Sequence, residues 1–241
     1  MGSPVDSWIR RSKIAAYQEA YDRIAREIEL EPQNTVVDIA CGTGEVIRRV
    51  GSARIVGTDS SPRMLTVAKQ KLGRYGIRAE IITHAISKRY LSHRLSEGKV
   101  ILYLDNCLKS TLPKSFFDVA VSTFAGFSED SVDEFLGEKF SELKSIKSKW
   151  LAAKRAEVQR DHEIYKILKN DGRLIKAVYQ PSPRVNNRKF RALVPLKSQF
   201  EVVRTAFIPS ARIASDAWLT RKLLGQSAVQ GYGILIWKKI A

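Results

Sequence analysis

Apolar and polar positions follow two different rhythms along the chain. Over residues 8–30, WIRRSKIAAYQEAYDRIAREIEL, the residues Ile14, Tyr17, Tyr21, Ile24 and Ile28 recur at spacings of three or four, which draws one apolar stripe on a helix. Pro32 ends it. Short apolar runs follow: TVVDIA, ARIVGTD, KVILYLDN (99–106), FFDVAVSTF (116–124), GRLIKAVYQ (172–180), FEVVRTAFI (200–208) and YGILIWKKI (232–240). Between the first two, CGTG makes a turn and EVIRRV begins a helix. After the second, Ser60 or Ser61 serves as cap and Pro62 opens the helix in SSPRMLTVAKQKLGRYG. Strands this uniformly apolar, separated by helical segments, are covered on both faces. The pattern predicts an α/β fold with a seven-stranded, mostly parallel sheet, helices on both faces and a single domain over 1–241.

Two segments exceed what a minimal strand-helix repeat needs. Residues 77–98, IRAEIITHAISKRYLSHRLSEG, precede the third apolar run and have room for a short strand or an extra helix. Residues 131–171 contain only Gly137 as a breaker. One helix of that length would reach about 60 Å, so at least one break is expected. This helical insertion reads as a lid, an acceptor platform or the surface of a homodimer.

The junction VVDIACGTGEV carries the chemistry. A strand that stops at Asp38-Ile39-Ala40, with glycines at 42 and 44, lets a ligand approach main-chain atoms that a Cβ would shield, ahead of a helix N-terminus. The second strand ends at Asp59, 15 residues after Gly44, where a carboxylate can accept hydrogen bonds from both hydroxyls of a ribose. A dinucleotide fingerprint would need a third glycine, but Ile47 stands there. Asp38 would also repel a pyrophosphate, whereas it would hold an ammonium group. The ligand is therefore a nucleoside with a cationic tail.

With these residues in view, VVDIACGTGEV, IVGTDSSPRMLTVAKQK and FFDVAVSTFAGF resemble the class I S-adenosylmethionine-dependent methyltransferases, especially the ubiquinone- and menaquinone-biosynthesis-like branch. The resemblance covers about residues 15–127, and ILKNDGRLIKAV (167–178) resembles the family's fifth-strand segment. It implies a Rossmann-like sheet and S-adenosylmethionine as cofactor. By the same resemblance Asp38, Ala40, Gly42 and Gly44 would line the methionine portion, Asp59 would bind the ribose, and Ser60 and Met64 would flank the adenine. Asp105 and Asn106 match the place of an acid that contacts the adenine amino group, with a helix N-cap as the competing role for Asp105. Ser122, Thr123 and Phe124 would sit beside the sulfonium. The path through 77–98 is longer than the family's, which leaves Asn106 as an alternative to Asp105.

Charge then narrows the acceptor. Lys and Arg number 41 against 25 Asp and Glu. Residues 1–130 hold 19 basic and 15 acidic side chains, whereas residues 131–241 hold 22 and 10. Such an excess favours an anionic partner or serves as a solvated surface. Residues 172–200 contain Arg173, Lys176, Arg184, Arg188, Lys189, Arg191 and Lys197 and no acid. Arg184, Arg188 and Arg191, with Phe124, are the candidate acceptor-binding residues. Between Arg173 and Lys197 only Tyr179 and Phe190 are aromatic, which is thin for base stacking. A small or medium-sized anionic acceptor is the first expectation, RNA the second, and a non-catalytic nucleoside-binding module the third.

The remaining residue types exclude more than they suggest. No Asn/Asp-Pro-Pro-aromatic run follows the fourth apolar run, and Cys41 lies in the glycine turn, so two familiar nucleic-acid methylation chemistries drop out. Cys41 and Cys107 are too few for a disulfide framework or a structural zinc site, and no metal is expected. Apolar runs fall short of the roughly 20 residues of a membrane span. The N-terminus lacks a secretory pattern, so a cytoplasmic location is expected.

Overall fold

The computed structural model describes residues 4–28, 33–51, 54–124, 146–180, 199–210 and 231–240. The apolar stripe at the N-terminus forms two helices, α1 (Pro4–Arg11) and α2 (Ala15–Glu27), where one was expected. The break falls at Ser12, whose hydroxyl donates to the Ile9 carbonyl at 3.0 Å and whose side chain is buried. Tyr17, Tyr21, Ile24 and Ile28 are buried along the stripe. No helix among the described residues is long and apolar enough to cross a membrane.

After α2 the chain alternates: β1 (Val36–Ile39), α3 (Glu45–Val50), β2 (Ile55–Asp59), α4 (Pro62–Arg74), β3 (Ala79–Ile82), α5 (Lys88–Ser96), β4 (Val100–Leu104) and β5 (Phe117–Thr123). Then come α6 (Ile146–Ile167), β6 (Leu168–Gln180), β7 (Phe200–Pro209) and β8 (Gly231–Lys239). Ser61 caps α4 by accepting the Met64 N–H at 3.3 Å, with Pro62 in the first turn.

Eight strands form one sheet in the order β3-β4-β2-β1-β5-β6-β8-β7. The expected seven miss β3, because residues 77–98 supply a strand and a helix together. Four residues, AEII, add a parallel edge beside β4, and α5 makes the crossover. β8 runs antiparallel to both β6 and β7, and the other neighbouring pairs are parallel.

Each face of the sheet carries its own core. α2, α3 and α4 cover one, with Tyr17, Ile24, Ile47, Leu65 and Leu72 packed on Val36, Val119 and Val121. On the other face Leu91, Leu95, Ile164 and Ile167 pack on Val37, Ile39, Ala120 and Leu174.

α6 begins at Ile146 and ends at Ile167, so residues 168–171 belong to a strand and not to the expected helical insertion. A register shift between Phe117 and Val119 accommodates them, with Asp171 at φ 62°. Residues 131–145 lie outside the described residues. Among the charged side chains buried at the second core, Lys176 of β6 and Asp161 of α6 are each only 1 % exposed. The Lys176 ammonium donates to both Asp161 oxygens, at 2.9 and 2.8 Å, and lies 3.6 Å from Glu157. Burial pulls the Lys176 pKa down, and Asp161 opposes it. Lys176 therefore does not belong to the accessible basic surface read from the sequence.

Candidate functional site

The site is built where β1 and β2 end side by side. Asp38 pairs in register with Gly57 and Ile39 with Thr58, and the Cys41 N–H donates to the Thr58 carbonyl at 2.7 Å. The turn beyond β1 is left-handed three times: Ala40 at φ 56°, Gly42 at 53° and Gly44 at 71°. That repeated reversal favours glycine at 42 and 44. The Gly44 N–H closes the turn on the Cys41 carbonyl at 2.9 Å.

Asp59 ties the two strand ends together. Its Oδ2 accepts the Gly42 N–H and its Oδ1 the Ser61 N–H, each at 2.9 Å. Each carboxylate oxygen has capacity for a further donor. Burial raises the Asp59 pKa, and these two backbone donors oppose the rise. Ser60 is exposed, and Met64 is buried in the first turn of α4.

Asp38 differs from Asp59. It is 2 % exposed, and no hydrogen-bond donor reaches its carboxylate among the described residues. Burial, with the nearby Asp59 charge, pushes its pKa up to about 8. A buried carboxylate held this way is matched to a cationic ligand group, which would restore its ionised form.

The sign of the pH effect follows. Below about pH 4 the folded and unfolded chains both hold this proton, and between there and about 8 only the folded chain does. The ligand-free protein should lose stability as pH rises from 5 to 8, and Asp38→Asn should flatten that slope; midpoints of thermal denaturation across the range check it. An equal slope in both proteins would show that Asp38 does not carry the effect.

A second network holds the turn from behind. Glu45, the first residue of α3, is 4 % exposed and pairs with Lys71 of α4 and with Arg49 at 2.9 Å. Burial raises its pKa, but these cations outweigh that and leave it lowered. Lys71 also donates to the Thr43 hydroxyl at 3.2 Å, and Thr43 meets the Ser12 hydroxyl at 3.4 Å. Only the Glu45–Arg49 pair, four residues apart on α3, is visible in the sequence spacing; Lys71 and Ser12 come from distant parts of the chain.

The other candidates are placed as follows. The Asp105 N–H donates to the Asp59 carbonyl at 3.2 Å, which brings the end of β4 to the site. Its carboxylate accepts from Ser110 at 2.7 Å and from the Thr111 N–H and hydroxyl at 3.0 Å. It thus caps its own loop rather than a helix. Asn106 accepts the Leu108 N–H at 3.0 Å. Burial pushes the Cys107 thiol up to about 11, so it is a poor nucleophile near neutrality.

Ser122 pairs in register with Ile39 and Lys176, whereas Asp38 pairs with Val121. Strand alternation therefore puts Thr123, not Ser122, on the face of Asp38. Phe124 follows at φ 50°, its ring edge-on to Tyr17 at 5.2 Å and to Tyr232 at 5.8 Å. It packs into the core beneath α2. Arg184, Arg188 and Arg191 lie outside the described residues.

Residues 36–101 match the sequence profile of a family described as a methyltransferase domain. They span β1 through the first part of β4, including the turn, Asp38 and Asp59. No curated protein matches the chain in sequence. Among solved structures, the chain is similar to the putative methyltransferase in complex with the Trm112 methyltransferase activator from Haloferax volcanii, at 16% identity and TM-score 0.59, covering 98% of this chain and 96% of that one. It is also similar to the [4+2]-cyclase SpnF, at 17% identity and TM-score 0.58, covering 94% and 82%. A third likeness is to geranyl diphosphate methyltransferase in complex with GPP and sinefungin, at 12% identity and TM-score 0.56, covering 92% and 78%. At these identities the likenesses establish the fold alone.

Proposed function

We propose that the protein is an S-adenosylmethionine-dependent methyltransferase of the class I kind, acting on a small or medium-sized anionic acceptor. One observation carries the cofactor reading: within the stretch matching a methyltransferase domain, a half-buried carboxylate, Asp59, and a buried one, Asp38, flank a left-handed glycine turn. One is anchored by backbone N–H groups, and the other meets no donor among the described residues. Asp59 suits the ribose hydroxyls, and Asp38 suits the ammonium of the methionine portion. Gly42 and Gly44 let that portion lie against the main chain.

When bound, S-adenosylmethionine supplies a methyl group on a sulfonium, open to in-line displacement. The chain's residues align donor and acceptor and keep water out, a contribution of about 7–11 kcal/mol in favourable cases. Thr123 shares the Asp38 face at the end of β5 and is 6 % exposed, which suits a positioning role near the transferred group. No residue is assigned as a general base.

Calorimetric titration with S-adenosylmethionine tests the reading directly. Saturable binding supports it, and absence of heat at several temperatures overturns it. Since the same fold occurs in a [4+2]-cyclase, methyl transfer rests on the site chemistry and not on the fold.

RNA as acceptor is the second reading, favoured by the net charge of +16. The two differ in salt dependence, because a polyanion releases many counterions and a small anion few. For the small-anion reading, affinity for bulk RNA should be weak at 50 mM salt and change little at 200 mM. A steep loss between those conditions would move RNA to the front. Replacing Arg188, Lys189 and Arg191 together should then spare cofactor binding and impair acceptor binding.

A further inference from the structure

β7 ends the strand order of the sheet, and among the described residues no strand lies beyond it. Five consecutive residues, Glu201 to Thr205, are exposed, so over that stretch neither face of β7 is covered. The opposite edge differs, since three of the four residues of β3 are half-buried and the fourth is buried. Val202 and Val203 are 43 % and 57 % exposed, and Ile240, just past β8, is 43 % exposed. These are three of the five large apolar side chains exposed among the described residues, so exposed apolar surface gathers at this corner.

An exposed edge pairs with further strands unless proline, charge or a bulge blunts it. Pro209 blunts the far end of β7. The near end carries a bulge, whose effect here is to align two charges. Glu201 pairs with Lys238 of β8 and Val202 with Trp237, and pairing resumes at Arg204 with Ile236, so Val203 is the extra residue. In a regular strand Glu201 and Arg204, three positions apart, would point to opposite faces. Their partners Lys238 and Ile236 are two apart on β8, which brings both to one face, the face of α2. Arg204 there meets Glu27 of α2 at 3.0 Å, while Val202 shares the other face with Trp237.

The order acid, valine, valine, base over residues 201–204 is complementary to its own reverse. When two copies of β7 run antiparallel about a two-fold axis midway between Val202 and Val203, each Glu201 stands opposite Arg204 of the other copy, on the same face, and valine stands opposite valine. Closed two-fold association requires such a self-complementary patch. Arg204 keeps donors for it, because a guanidinium has five N–H groups and the Glu27 contact is made through one nitrogen. Lys238, the cation across from Glu201 on β8, is paired with Asp171 at 2.9 Å.

We propose that β7 is a homodimer surface: two copies of the chain join by antiparallel pairing over Glu201–Arg204, with reciprocal Glu201–Arg204 ion pairs across the axis, and their sheets become one. The occupant of the edge is a second copy because the order of charges fits its own reverse. This dimer surface is the sheet edge, not the 131–171 insertion that the sequence offered. It is independent of the ligand assigned to the glycine turn.

Sedimentation velocity of the full chain over rising concentration should show a mass that climbs from 27.2 kDa towards twice that value. Glu201→Arg sets like charges opposite each other at both ends of the pairing and should raise the dimer dissociation constant by about tenfold. Arg204→Glu should do the same. Both changes in one chain restore opposite charges across the axis in reversed order, and association should recover. Val203→Lys, at an exposed position, should leave the thermal midpoint unchanged and abolish the dimer.

A wild-type chain that stays at 27.2 kDa at every concentration overturns the proposal. A dimer that survives both Glu201→Arg and Val203→Lys also overturns it, because the copies then meet through another surface. Association that Val203→Lys removes and the double charge reversal restores upholds the register as well as the surface.

Discussion

Asp59→Ala is expected to reduce S-adenosylmethionine affinity by two orders of magnitude or more. The side chain does two things that a single contact residue would not. It anchors the Gly42 N–H and the Ser61 N–H at 2.9 Å each, and on the proposed function its remaining lone pairs accept from a ribose. Hydrogen bonds to a charged acceptor contribute about 1.5–3 kcal/mol each, so losing those to the ligand alone predicts a large effect. Losing the anchors lets the turn and the start of α4 drift apart, which adds to it.

Asp59→Asn separates the two contributions. Its carbonyl can accept one backbone N–H, but its amide group faces the other donor without an acceptor, so partial recovery is expected. Calorimetry of the three proteins side by side measures this. Equal affinities in wild type and Asp59→Ala would remove Asp59 from the ribose site.

The second large effect is on stability. Lys176→Met should lower the denaturation midpoint strongly, because it strands Asp161 inside the second core with 1 % exposure. Removing one partner of a buried ion pair costs about 3–5 kcal/mol. At about 2–4 °C per kcal/mol for a chain of this size, the midpoint should fall by on the order of 10 °C.

Arg160, 3.4 Å from Asp161, shields part of that charge and sets the lower end of the effect. The double variant Lys176→Met with Asp161→Leu should recover most of the loss, since two apolar residues can replace the pair without an orphaned charge. A double variant no more stable than the single one would mean that the pair fixes the seating of α6 on the sheet.

The glycine turn where β1 and β2 end was legible in the sequence because its parts are local. Asp38, the glycines, Asp59 and the cap at Ser61 all lie within one strand-turn-helix-strand-helix stretch, and their order alone states how they meet. α4 opened with its cap and proline as expected. What escaped was non-local or short. β3 has only four residues, three of them half-buried, too few for a periodic signal. The stripe of α1 and α2 hides its break because apolar spacing continues across Ser12, whose contacts with the Ile9 carbonyl and with Thr43 mark it in the structure.

Charge misled at Lys176. In a stretch with seven cations and no acid, its neutralising carboxylate comes from a different element, fifteen residues earlier. Thr123 shows the opposite case: strand register puts it, and not Ser122, on the face of Asp38, a distinction that residue type alone does not carry.

Two cores on opposite faces of one sheet also bear on how such a chain can diversify. Every residue assigned to the cofactor between Asp38 and Met64 belongs to β1, β2 and the turn and helix that follow them, and α2, α3 and α4 pack that region from one side. The second face rests on α5, α6 and its own apolar contacts. Changes in the elements around α6 can therefore be absorbed on one side while the nucleoside turn keeps its support on the other. A lineage built on this plan is free to vary the face around α6 while inheriting the glycine turn and its two aspartates unchanged.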